Sequence, residues 1–408
     1  MLKSRAVVPV AIYLAVLVIV LQYNLLHPLV NDGTWEYLAY KLNLTNGWQN
    51  RAFVVNYCLI PTLLPAWISQ ITHLDSYIVF SIWPALFYPL MPMFTYLIAK
   101  RYMNTAWSIV CSLLIIFNSY IFYFPDVGRV GIALGFLAGM LWSLLGGKHK
   151  LLLLFTILTI FSHYGTATIA LATVAVYVVG TKITSRQWSK IGIAVCGILV
   201  VVISIWYIYI PKTYGDSNLL MALVHNEPGA FNAGMSPEVQ GIIPSDPKDW
   251  VDVGKRDTIV QTAFGLNFFE IGVPTKIELV VNWAVVLIMS LGLFLVVRLK
   301  MFDTRLRTLM LASYAAVLSV IAVPWLSVNY GVTRTLFTSS IVLAIGFPVG
   351  VSWIAGKLRC SRMVLAMAAL GLYACSTSGL VYLPFGESKT FPVATVNPEV
   401  IEYIEAQE

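Results

Sequence analysis

"LLLLFTILTIFSHYGTATIALATVAVYVVG" occupies residues 151–180, and the way it divides decides the fold. One upright helix needs roughly 20 apolar residues to cross about 30 Å of hydrocarbon. This run holds 30, and "SHYGT" (162–166) interrupts it with polar and small side chains. It is either one tilted span or a hairpin of two short helices. The flanking loops discriminate: Lys148 and Lys150 precede the run, while Lys182, Arg186 and Lys190 follow it. Cytoplasmic loops collect Lys and Arg, so both loops belong on one side of the membrane. That requires a hairpin, with helices of about 12 and 14 residues rising about 18 and 21 Å. His163 and Tyr164 then sit at a tip within the outer leaflet.

The same counting orders the rest of the chain. Apolar runs at 6–26, 76–99, 106–124, 130–146, 190–210, 279–298, 306–325, 335–355 and 363–383 are the remaining span candidates. "FVVNYCLIPTLLPAWISQIT" (53–72) is ambiguous because it carries Pro61 and Pro65. If it lies in the outer interface, 16 of the 26 basic residues face the cytoplasm beside one acid of 19, Asp303. If it crosses, everything beyond it inverts and only 10 basic residues remain inside. The first arrangement obeys the charge rule. It gives an all-α integral membrane protein of about eleven transmembrane segments, counting the short hairpin as two, with interfacial helices on the outer side. The N-terminus is cytoplasmic. Residues 1–383 form one polytopic domain with outer loops at 27–75 and 212–278, and 384–408 is a short outer tail.

Composition excludes the alternatives to a membrane protein. Only 11% of the 408 residues are charged and 59% are apolar, with a mean hydropathy of +0.80. A soluble globule needs far more polar surface. The run from Ala6 to Leu26 is longer than a signal-peptide core and no small-residue cleavage site follows it, so it reads as a retained span. The net charge of +7 does not imply a nucleic-acid partner, since the excess sits in loops where insertion demands it. Five cysteines are scattered singly and show no pairing or metal-binding spacing. Gly131, Gly135 and Gly139 in "GIALGFLAG" form a small-xxx-small stripe, whose usual meaning is close helix packing.

This topology gathers the ionisable residues outside the basic loops on the outer face. In "NDGTWEYLAY" (31–40), Asp32 and Glu36 lie one helical turn apart, with Trp35, Leu38 and Leu42 on another flank, as in an interfacial helix. Asp32 could merely cap that helix. Two carboxylates at i, i+4 also suit a general base whose pKa is tuned by its neighbour. Asp126 and Arg129 fall in the tight outer loop of "FPDVGRVG", and Tyr330 and Arg334 stand where "NYGVTRTLF" enters a late span. Arginine at an apolar edge can anchor a helix, and its planar fork also fits phosphate oxygens. His163 is either a hydrogen-bonded bundle residue or a ligand facing a cavity. A divalent metal remains an open alternative, with Asp32, Glu36 and His163 as candidate ligands, although one histidine without a second ligand pattern is weak support. Asn43 in "NLT" is a glycosylation sequon on the expected outer face.

Assembled in order, these stretches resemble the GT-C class of membrane glycosyltransferases. More narrowly, they resemble a family of archaeal multi-pass membrane proteins related to that class and marked by an SHY(S/G)TA motif. The matching pieces are the Asp-xxx-Glu-Tyr of "DGTWEY", "NYCLIPTLLPAWIS", the Arg of "DVGRVGIA", "SHYGTA" and "YGVTRTLF". They run in family order to about residue 355. The resemblance implies that Asp32 matches the catalytic loop acid of the class and Glu36 its companion. Arg334 matches a late arginine that holds the lipid donor's phosphate, and Asp126 an acid of the second outer loop. Val30 and Asn31 depart from the Gly-Ser that usually precedes the first acid. The implied activity is transfer of a sugar from a polyprenyl-phosphate-linked donor to a hydroxyl on a glycan, lipid or protein acceptor, at the outer face. A polymerase acting on lipid pyrophosphate-linked repeats, or a flippase for lipid-linked sugars, are the competing expectations. A flippase predicts polar midspan residues and repeated halves, and the sequence displays neither.

Overall fold

A computed structural model of the chain describes residues 2–26, 32–46, 57–118, 128–210, 272–322, 332–378 and 380–385. Those residues are helical throughout their ordered elements, with no strand among them. The centre of the bundle is α7 (Gly128–Gly146), 17 of whose 19 residues are buried. A helix apolar on every side has no preferred face and must be surrounded. Its glycine stripe explains how the neighbours come so close. A Cβ on Gly131 would fall 1.9 Å from the Tyr88 ring, and one on Gly135 would fall 2.6 Å from the Phe87 carbonyl oxygen. The stripe is therefore a packing surface, as its spacing implies.

Before α7 come α1 (Leu2–Leu26), α2 (Asp32–Asn46), α3 (Leu59–Thr72), α4 (Ser76–Ala85), α5 (Leu90–Ala99) and α6 (Thr105–Ile116). α4 and α5 together form one 24-residue span, Ser76–Ala99, around a turn at 86–89 near Pro84 and Pro89. α1 ties to this region through Tyr13, which donates to the Leu86 carbonyl at 2.8 Å, and Asn24, which donates to the Ser81 carbonyl at 2.9 Å. α3 has 14 residues, about 21 Å of rise against the roughly 30 Å of a bilayer core. Its length agrees with a segment that does not cross.

After α7, α8 (His149–Ser162) and α9 (Tyr164–Ser185) meet at His163, followed by α10 (Lys190–Ser204), which continues as a π-helical turn over Ile205–Tyr209. The break at "SHYGT" is present, but the hairpin is not built from two short arms. α9 has 22 residues and is long enough to cross alone. Thr181, Lys182 and Thr184 carry it past the apolar run, with both threonine hydroxyls donating to the carbonyls four residues back.

The last described helices are α11 (Val273–Arg298), α12 (Thr304–Ala322), α13 (Val332–Leu343), α14 (Gly346–Leu358) and α15 (Arg362–Thr377). The expected straight span at 335–355 is two helices, α13 and α14, bent by 68°. Gly346 opens α14 just after the bend and packs closely on α11: a Cβ on Gly292 would fall 1.8 Å from the Gly346 carbonyl oxygen. Cys111 of α6 reaches the Ala344 carbonyl, with its sulfur 3.4 Å away. Six described helices are long and apolar enough to span singly, and a seventh span results if the bent pair counts as one. The chain is an integral, multi-pass membrane protein.

One end of this bundle is basic. Arg101 Nη1 lies 3.0 Å from where a Gly146 Cβ would stand, and Tyr102 donates to Asp303 at 3.2 Å. The Thr184 and Thr308 hydroxyls meet at 3.4 Å. These contacts bring together the ends of α5, α7 and α9 and the starts of α8 and α12, with Lys148, Lys182 and Arg305 among them. The opposite end of α7, about 25 Å away, begins with Gly128 and Arg129.

Candidate functional site

The second residue of α7 carries a cation into a buried position. Arg129 is 7% exposed, and it is countered by Glu36 of α2, which is 1% exposed. The Arg129 backbone N–H donates to Glu36 Oε2 at 3.0 Å, and Nη1 stands 3.5 Å from Oε1. The carboxylate thus serves two positive partners, a guanidinium and the N-terminus of a 19-residue helix. Gly128 makes room for it, since a Cβ there would lie 2.7 Å from Oε2.

α2 forms where "DGTWEYLAY" suggests, and among its described side chains the stripe that contains Glu36 is buried. Glu36, Ala39, Tyr40 and Asn43 are all buried, at i, i+3, i+4 and i+7. Tyr40 packs with Ala66 of α3 and Phe80 of α4. Asn43 is 1% exposed, and its side-chain nitrogen and oxygen have no hydrogen-bond partner among the described residues. Thr45, the hydroxyl residue of the sequon, donates to the Lys41 carbonyl at 3.2 Å. The folded chain therefore has no room for a glycan on Asn43, which corrects the sequon reading. Asp32 opens α2 one turn before Glu36; its side chain lies outside the described ones.

The break at His163 lies in the same buried region. Ending α8 there releases the Ile160 carbonyl, and starting α9 releases the Tyr164 N–H. Tyr207, in the π-helical turn, donates its hydroxyl to the Ile160 carbonyl at 2.5 Å. The Tyr164 N–H faces the sulfur of Cys58, the residue before α3. Burial pushes the Cys58 thiol up to about 12, against an opposing pull from Arg129, so it stays a neutral thiol. Trp206 donates to the Tyr57 carbonyl at 2.8 Å and stacks edge-on against Phe161 at 5.0 Å. The charges of Arg129 and Glu36 pull the Cys58 thiol in opposite directions.

His163 is 3% exposed. Its Nδ1 accepts the Thr166 N–H at 3.1 Å and lies 3.0 Å from the Thr166 hydroxyl, and its ring packs tilted against that of Tyr164, centroids 4.8 Å apart. Tyr164 meets Tyr207 edge-on at 5.9 Å.

Of the sequence-derived residues, Glu36 and Arg129 are in contact, and His163 and Tyr164 pack on each other at the start of α9, with the Tyr164 N–H facing Cys58. Asp126 and Tyr330 lie outside the described residues, as does the side chain of Arg334, whose backbone is in the first turn of α13. Cys58, Trp206 and Tyr207 escaped sequence reasoning; the aromatic "IWYIY" closing a span was their one visible trace. A divalent metal fits poorly. Glu36 is engaged by a cation and a helix N-terminus, and the Nδ1 lone pair of His163 by a backbone N–H. No group of three potential ligands occurs among the described residues.

No family model and no curated protein matches the chain. Among solved structures, it is similar to the crystal structure of ArnT from Cupriavidus metallidurans bound to undecaprenyl phosphate, at 13% identity and a TM-score of 0.37, over 99% of this chain and 85% of that one.

Proposed function

We propose that this protein is a membrane glycosyltransferase of the GT-C kind, moving a sugar from a polyprenyl-phosphate-linked donor to an acceptor hydroxyl at the outer face of the membrane. The observation that carries this reading is the buried Glu36–Arg129 pair at the head of α7, at the end of the bundle away from the basic loops. A charge inside a membrane protein is expensive, and a partnered one beside a helix break marks a site where polar chemistry takes place. The donor's isoprenoid tail lies among the helices in the bilayer. Its phosphate meets Arg129 and Arg334, and the sugar lies beyond them on the outer side.

The roles of the two carboxylates follow from their surroundings. Glu36 is committed to Arg129 and the α7 N-terminus, which makes it a positioning residue that fixes the guanidinium. Asp32, one turn earlier, is the base that takes the proton from the acceptor hydroxyl as that oxygen attacks the anomeric carbon. The bond to the phosphate oxygen breaks as the new glycosidic bond forms. The leaving group is already a stable anion, so it needs electrostatic stabilisation and no general acid.

Incubating the purified protein with labelled polyprenyl-phosphate sugars tests this. Asp32→Asn is expected to abolish transfer with an unchanged thermal unfolding midpoint; near-normal turnover in that variant removes Asp32 from the mechanism. The bend between α13 and α14 gives the flippase reading one supporting observation, because broken helices line transport sites. Movement of the labelled lipid between leaflets without chemistry would favour it.

A further inference from the structure

At the basic end of the bundle, Arg307 is a cation whose needs the protein does not meet. It is partly buried in the first turn of α12, where its Nη2 donates to the Thr304 hydroxyl at 3.0 Å. Its Nε is sealed from solvent and has no hydrogen-bond partner. Asp303, the acid nearest in sequence, is already spent. Its Oδ1 caps α12 by accepting the Leu306 N–H at 2.8 Å, and its Oδ2 accepts the Tyr102 hydroxyl at 3.2 Å. Insertion accounts for cations in loops, but Arg307 is in a helix. A cation in the first turn also opposes the helix dipole, so local helix stability does not explain it either.

The surroundings indicate which anion fits. Ser290 of α11 donates to the Tyr314 hydroxyl of α12 at 3.3 Å. From that contact, helical spacing carries Phe294 and Arg298 along α11 and Leu311 and Arg307 along α12, each row running about 10–12 Å towards the basic end. Phe294 and Leu311 are exposed, and Arg298 stands over the Phe294 ring at 5.8 Å. In a protein that spans a membrane, exposed apolar rows of this kind face lipid. Both rows therefore run from lipid-facing side chains to an arginine.

We propose that the foot of the α11–α12 pair binds an anionic phospholipid, with its phosphate on the Arg307 guanidinium and its acyl chains along the Phe294 and Leu311 rows. The planar fork of arginine fits phosphate oxygens through charge-assisted hydrogen bonds. Thr304 Oγ1 accepts from Arg307 and keeps its own hydrogen to donate to the same phosphate. Arg298, at the end of the neighbouring row, supplies a second cation. A lipid-borne phosphate is favoured over a free ion because acyl chains cover apolar surface that an ion leaves bare. The inference needs only the membrane setting and is independent of the glycosyltransferase reading.

The test uses the full-length protein in micelles of a neutral detergent. It is titrated with phosphatidylglycerol and with phosphatidylcholine of the same acyl chains, then challenged with inorganic phosphate, and bound lipid is counted by native mass spectrometry. Phosphatidylglycerol is expected to bind roughly tenfold more tightly than phosphatidylcholine, and inorganic phosphate should not displace it. Arg307→Gln should reduce the affinity for phosphatidylglycerol to that for phosphatidylcholine. Arg305→Gln removes the same charge from an exposed neighbour and should stay within about twofold of wild type. Thr304→Val retains every charge and should weaken phosphatidylglycerol binding about threefold at an unchanged unfolding midpoint; it decides the matter if Arg307→Gln fails to fold. Equal wild-type affinity for the two lipids overturns the inference, as does unchanged affinity in Thr304→Val. Equal losses at Arg305 and Arg307 would reduce the site to diffuse attraction, and displacement by inorganic phosphate would assign it to a free anion; either result overturns the lipid site.

Discussion

The two ends of this bundle spend charge in opposite ways. At the basic end, Lys148, Lys182 and Arg101 stand at or near the surface, two of them over tryptophan faces, with Lys148 3.6 Å from the Trp142 ring centre and Lys182 5.4 Å from that of Trp188. At the other end, two charges, Glu36 and Arg129, are nearly sealed from solvent and face each other. Number and consequence run in reverse. Exposed cations in interfacial loops are individually replaceable, whereas a buried pair is costly to break because the surviving partner is left without compensation. In a membrane chain the functional end is therefore read from burial and partnership, not from charge density.

The sharpest way to break this contrast is to remove one partner. Arg129→Ala is expected to cost roughly 3–5 kcal/mol of stability, since it strands Glu36 in an apolar setting. The Glu36→Leu, Arg129→Met double variant should recover most of that loss. Arg101→Ala, at the basic end, should leave the unfolding midpoint nearly unchanged. Equal losses at Arg101 and Arg129, measured by thermal unfolding in one detergent, would erase the distinction. A smaller effect comes from Gly128→Ala. Its new methyl meets Glu36 Oε2 at 2.7 Å and Pro84 at 3.2 Å, which should cost about 1–3 kcal/mol by overpacking and lower transfer by displacing the carboxylate. A variant that keeps both stability and activity would mean that the pair tolerates movement.

The smallest energetic effect, and the most direct test of orientation, uses thiols. With a raised pKa of about 12, Cys58 keeps its proton and should resist maleimide between pH 7 and 9 until the protein is unfolded. Because the unfolded thiol ionises nearer 9, the Cys58 contribution to stability is complete below that pH and is lost as pH rises towards 12. In a protein cleared of its other native thiols, Lys148→Cys should react with an impermeant maleimide only after cells are opened. Labelling of intact cells would overturn the expected orientation.

Much of this was legible in the residues, and what was not has a common cause. The glycine stripe of α7 and the break at "SHYGT" are local signals, written in spacing and in the cost of placing polar groups among apolar ones. The inward turn of α2 is not. Helical spacing puts Glu36, Tyr40 and Asn43 on one face, but distant partners bury it: Arg129, 93 residues from Glu36, and Ala66 and Phe80 against Tyr40. Tyr207 answers a carbonyl 47 residues distant and Trp206 one at a distance of 149. No window along the chain contains both partners. The length of α9 is not legible because hydropathy falls at Thr181–Ser185 while the helix continues, and the bend after α13 because Gly346 meets α11 there, a tertiary contact.

The seam between α11 and α14 has a consequence for traffic. At Gly292 and Gly346 two main chains touch with no side chain between them, so the joint can neither slide nor part without losing its whole fit. Under the proposed function, an isoprenoid entering from the bilayer would have to part main chains at this seam, whereas between helices joined through side chains it would part only side chains, so the proposal directs its entry to other helix pairs.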